Sequence, residues 1–127
     1  MIINTPVSLG ELVDKISILI VKKKNIADEN KLNQVNKELS LLQEILSKHI
    51  TEEQINAYLN DLIDINSKLW IIEDDIREYE RKKIFDSKFI ELARSVYFTN
   101  DKRAKIKLDI NEKYGSELVE VKSYEQY

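Results

Sequence analysis

The sequence predicts an all-α fold: an antiparallel bundle of about four helices with long third and fourth members, followed by a short extended C-terminal arm. Three observations lead there. Glycine occurs twice and proline once in 127 residues, and these are the residues that punctuate chains built from turns and short strands. Apolar residues recur three and four positions apart along most of the chain, the period of an amphipathic helix. Ser8 with Glu11, and Thr51 with Gln54, have the spacing of capping boxes, in which side chain and backbone at a helix start satisfy one another. With 43% hydrophobic residues, the chain can fill one continuous core. Residues 1–7 form a lead, 8–114 the bundle and 115–127 the arm.

The first helix begins near Leu9. Leu9, Leu12, Val13, Ile16, Leu19, Ile20 and Ala27 share one side, while Ile18 and Val21 lie roughly opposite. Such a helix is either central in the bundle or meets a second subunit, so a homodimer is expected; Asp28 to Asn30 should end it. The second helix runs from about Lys31 to Lys48 on a stripe of Leu32, Val35, Leu39, Leu42 and Leu46. From Thr51 no glycine or proline intervenes until Gly115. Ile55, Leu59, Leu62, Leu69, Trp70, Ile76 and Tyr79 therefore carry the third helix to about Lys83. Asp86 caps a fourth containing Phe89, Ala93, Val96, Tyr97, Ala104 and Leu108, with a kink expected near Thr99 to Asp101 and a stop at Gly115. The arm alternates weakly around Leu118 and Val121, leaving open a short strand paired with Ile2 and Ile3.

Composition excludes several functions. Charged residues make up 34% of the chain but nearly cancel, to −3, which gives no concentrated positive field for nucleic acid. Cysteine is absent and His49 is the single histidine, so disulfides, thiolate metal sites and the usual nucleophile and base pairs are missing. No glycine-rich phosphate loop is present. The longest apolar run, Ile16 to Val21, is too short to span a bilayer, and the opening residues lack a secretory signal pattern. A cytoplasmic protein without membrane contact is expected.

The informative feature is a set of polar residues on apolar faces. At about 100° per residue, Asn66, Trp70, Glu73 and Arg77 fall within a strip roughly 60° wide, on the side of Ile55, Leu59, Leu62 and Leu69. Asn100, Ala104, Lys107 and Asn111 repeat the spacing on the fourth helix, with Arg103 beside them. Buried charges cost several kcal/mol per ion unless paired, so these residues must form a network or enclose a polar ligand. In the network reading, Glu73 meets Lys107 or Arg103 and the asparagines fix register. In the ligand reading, the cations and amides of Asn66, Trp70, Glu73, Arg77, Asn100, Arg103, Lys107 and Asn111 surround a phosphate or carboxylate. No cofactor is required, although an acidic set of Glu11, Asp14, Glu73 and Asp74 offers oxygen ligands for Mg²⁺. Against that, Glu11 already serves the capping box and Asp14 reads as a surface residue.

The segments SLGELVDKISIL, LWIIEDDIREYE and FDSKFIELARSVYFTNDKRAKIKLDIN resemble an uncharacterised family of small bacterial and phage helical proteins, along nearly the whole chain. That resemblance implies no catalytic residues; its members are often encoded near surface-polysaccharide and glycosyltransferase genes. A more distant likeness is to MazG-type all-α nucleotide pyrophosphohydrolases, which hold Mg²⁺ through ExxE and ExxD motifs. Glu11 and Asp14 match one ExxD, but no ExxE precedes it, and Asp75 with Glu78, or Glu73 with Asp74, are the available substitutes. The sequence thus favours a non-enzymatic interaction or accessory protein with a small anionic ligand, and keeps Mg²⁺-dependent hydrolysis as the alternative.

Overall fold

Each helix starts on a side chain that accepts a free backbone N–H. The computed structural model describes residues 1–127 and contains α1 (Leu9–Asn25), α2 (Glu29–Ser47), α3 (Glu52–Arg81) and α4 (Ser87–Tyr114), with no strand. Asp28 and Asp86 cap α2 and α4 through Lys31 N (2.9 Å) and Phe89 N (3.1 Å). Thr51 and Gln54 complete a reciprocal box, with Thr51 N to Gln54 Oε1 at 3.1 Å and Gln54 N to Thr51 Oγ1 at 3.3 Å. The Ser8 box is half made: Glu11 N donates to Ser8 Oγ at 3.1 Å, but the Glu11 carboxylate turns to Lys107 instead. Helix α1 stops at Asn25, before the acidic stop expected at Asp28, and Ala27 is exposed outside it.

Helix α1 packs against all three other helices, and α3 packs along α4. The two apolar sides of α1 are therefore satisfied within one chain and need no second subunit. Its first side joins the core of Leu12, Val13, Ile16, Leu19, Val35, Leu39, Leu46, Ile50, Ile55, Leu62 and Ile110. Its second side is not the expected Ile18 and Val21 alone: Gly10, Asp14, Ser17 and Val21 are all buried, spaced so that they follow one face of the helix.

Helix lengths set the shape of the rest. Helices α3 and α4 have 30 and 28 residues against 17 in α1, about 45, 42 and 25 Å at 1.5 Å per residue. Burial stops at Leu69 and resumes at Lys107; no residue between them is buried. The far half of the α3–α4 hairpin is thus a two-helix projection. Its turn places Lys83 in the left-handed region at φ 56°, with Ile84 N donating to Tyr79 O at 3.0 Å. Helical structure continues without interruption through Thr99 to Asp101, the segment of the expected kink. Gly115 (φ 66°, ψ 40°) terminates α4 as expected, because a left-handed cap carries no steric penalty at glycine. The arm does not pair with Ile2 and Ile3, which are exposed; it turns back along α4.

Candidate functional site

The polar strip of α4 does point inward near its C-terminal end, and what it meets is the second side of α1. Asp14 is fully buried. Arg103 grips its carboxylate with two bonds, Nε to Oδ1 at 2.9 Å and Nη2 to Oδ2 at 2.5 Å, the planar fork suited to a carboxylate. Asn66 Nδ2 donates to Asp14 Oδ1 at 3.0 Å and to Ser17 Oγ at 2.8 Å, and Ser17 Oγ donates to Asp14 O at 2.6 Å. Three helices are tied through one carboxylate. Its hydrogen bonds to Arg103 hold the guanidinium pKa above its ordinary value, against the opposing effect of burial.

One turn further along α4, Lys107 is buried with its ammonium 2.8 Å from Glu11 and 2.8 Å from Glu120 of the arm. Burial pushes the Lys107 pKa down, but the bonds to Glu11 and Glu120 outweigh it, and the net shift is upward. Glu120 also pairs with Lys122 at 2.8 Å; its bond to Lys107 first, and to Lys122 second, lower its pKa to about 2. Asn111 accepts from Gly10 N at 2.7 Å. Gly10 is required by this crossing: a Cβ there would stand 2.4 Å from Lys107 O and 3.0 Å from Asn111 Oδ1.

The arm encloses a cleft of about 1260 Å³ against α4, lined by Asn100, Arg103, Lys107 and Asn111 on the helix and by Glu120, Lys122 and Tyr127 on the arm. At its far end Tyr127 donates to Asp101, which raises the Tyr127 pKa to about 12. The Tyr127 ring stands edge-on to Tyr97 and Phe98, at 5.2 and 4.8 Å between centroids.

Of the residues read from the sequence, Asn66, Arg103, Lys107 and Asn111 are brought together, and Asn100 lines the cleft from an exposed position. Trp70, Glu73 and Arg77 are not part of it. Glu73 pairs with Arg77 on the surface of α3. The expected Glu73 pairing with Lys107 or Arg103 is replaced by Glu11, Glu120 and Asp14. Asp14, read as a surface residue, is the centre of the network. The acidic set named for Mg²⁺ is dispersed: Asp14 is held by Arg103, Glu11 by Lys107, Glu73 by Arg77, and Asp74 is exposed. No three His, Cys, Asp or Glu side chains are grouped to share a metal ion. Ser17 and Glu120 were not legible as site residues. Ser17 shares the Gly10, Asp14 and Val21 spacing, a signal available in the sequence; Glu120 lies on a segment with no periodicity to place it.

These features define a small four-helix protein tied together by a buried ion-pair network, with an arm-covered cleft on its last helix. The chain belongs to a family of unknown function (DUF6165), whose model matches residues 3–127. No curated protein and no solved structure matches it, and the likeness to MazG-type enzymes gains no support. No helix is long and apolar enough to cross a membrane.

Proposed function

We propose that the protein is a non-catalytic interaction module that takes a carboxylate- or phosphate-bearing group into the cleft between α4 and its C-terminal arm, on Lys107 and Arg103. The observation that carries this reading is the Glu120 carboxylate. It sits 2.8 Å from a buried ammonium yet belongs to a segment without helix or strand, so an anion already fills the position and is held by few other bonds. A cleft with convergent cations and amides suits recognition of a charged, hydrogen-bonding ligand. The dispersal of the acidic residues favours binding over metal-assisted hydrolysis.

Calorimetric titration with inorganic phosphate and with citrate tests the reading. Saturable binding is expected, stronger in Glu120→Gln and lost in Lys107→Met, which keeps the buried stem while removing the charge. A second reading, a purely structural network, is favoured by charge balance: Glu11, Asp14 and Glu120 match Arg103, Lys107 and Lys122. It predicts no saturable heat with either anion in the wild-type chain or in Glu120→Gln, a result that would overturn the ligand site.

A further inference from the structure

The far half of the α3–α4 hairpin leaves large apolar side chains open to solvent. From Trp70 to Ile106 no residue is buried. Even so, the segment carries Ile71, Ile84, Phe85 and Ile90 at 40–60% exposure, and Ile76, Tyr79, Phe89 and Val96 remain part-exposed. An amphipathic helix gains most of its stability from packing its apolar face, and a two-helix hairpin provides half of the smallest common bundle. We propose that this hairpin is the dimerisation surface, with a second copy of the chain packed on it, tips opposed, as a four-helix bundle.

Two features select a second copy as the occupant. The first is charge. Asp74 and Asp75 of α3 lie four and three residues before Glu78, and Arg81, the last helical residue, and the C-cap Lys82 lie three and four after it, within about 120° of one another around the helix. A two-fold axis at the level of Glu78, with the α3 helices antiparallel, sets Asp74 against Lys82 and Asp75 against Arg81 of the second copy. Self-complementarity of this kind is what an isologous interface requires. The bonds now made by these bases, Arg81 and Lys82 to Glu78, are exposed pairs three and four residues apart, a class worth little and readily exchanged. The acidic stretch also opposes docking on an anionic lipid surface.

The second feature is area. Exposed and part-exposed aromatic and aliphatic side chains on the hairpin amount to roughly 600 Å² per copy, at about 200 Å² for a whole large side chain. A specific interface buries about 800 Å² per partner, including polar rim. The apolar surface is thus of the size a small, stable dimer needs.

The oligomeric state of the full chain, by sedimentation equilibrium, tests the proposal. A dimer is expected, converted to a folded monomer by Phe85→Asp with Ile90→Asp, both at exposed positions whose change leaves the core intact. Asp74→Lys with Asp75→Lys, and separately Arg81→Glu with Lys82→Glu, each weaken the homodimer by about tenfold or more. Mixing the two charge-swapped chains restores a heterodimer. Lys107→Met leaves the dimer unchanged, which separates this surface from the cleft. A wild-type monomer at micromolar concentration overturns the proposal, as does a dimer indifferent to the hairpin variants. Saturable binding of a monomeric chain to phosphatidylcholine–phosphatidylglycerol vesicles, abolished by Phe85→Asp, would assign the surface to lipid instead.

Discussion

Replacing Arg103 with Met removes the charge that neutralises Asp14 while keeping most of the side-chain volume. The two partners are not equivalent. The Asp14 side chain is 1% exposed and cannot reach water, whereas that of Arg103 is 26% exposed. Loss of one partner of a buried pair costs about 3–5 kcal/mol, because the remaining charge is left uncompensated. In Arg103→Met the carboxylate keeps one bond from Asn66 Nδ2, which places the loss near the lower end, at about 3 kcal/mol. The reverse change, Asp14→Asn, leaves a guanidinium free to swing outward and should cost less, about 1–2 kcal/mol. Denaturant unfolding at neutral pH measures both, and a loss of 3 kcal/mol corresponds to a fall in Tm of about 10 °C. A loss below about 1 kcal/mol, or equal losses in the two variants, would refute the claim that Asp14 is a sequestered charge held by Arg103.

Three further outcomes follow from the geometry. Gly10→Ala forces a methyl to within 2.4 Å of Lys107 O, a backbone atom with little room to move, and should lower unfolding free energy by about 2 kcal/mol or more. Glu73→Ala with Arg77→Ala removes an exposed pair within one helix and should change stability by less than about 0.5 kcal/mol, where an inward site would lose several times that. The third concerns pH. The Glu120 pKa is lowered to about 2 in the folded chain, below the roughly 4.3 of a free glutamate. Its contribution is therefore complete above about pH 4.3 and lost as pH falls toward 2. Since Glu120 keeps about a third of its side chain in water, the effect is about 1 kcal/mol. It falls on the docked arm, and NMR shifts of Lys122 and Tyr127 should follow that acid transition in wild type and not in Glu120→Gln.

Much of the fold was legible because the helix signals are local. Ser8, Thr51 and Asp86 mark starts through hydrogen bonds within four residues, and Gly115 marks an end through its own backbone angles. The α4 strip was legible too, since Arg103, Lys107 and Asn111 fall on the side that also bears Ile110. What the spacing lacked was the identity of the opposing surface. Asp14 looks like a surface acid on a helical wheel until Arg103, 89 residues away, is known to reach it. The inward placement of Glu73 and Arg77 failed for a different reason. Their angular position matches Asn66, but burial also depends on axial position, and no residue of α3 beyond Leu69 is buried. A wheel reports direction around a helix and is blind to how far along it burial extends.

That axial limit also accounts for where the charges sit. Asn66 lies one turn before burial ends on α3, and Arg103 one turn before it resumes on α4. The Asp14 network therefore occupies the boundary between the packed body and the bare hairpin. A cation entering from a boundary keeps part of its head in water while its stem covers apolar surface, so its desolvation cost is far below that of an ion in the middle of the core. The carboxylate it reaches is wholly sequestered and bonded from a second helix. This asymmetry fixes the register of α1 against both long helices at the point where hydrophobic packing runs out, and a nonpolar pair there would lack the directional bonds to do so.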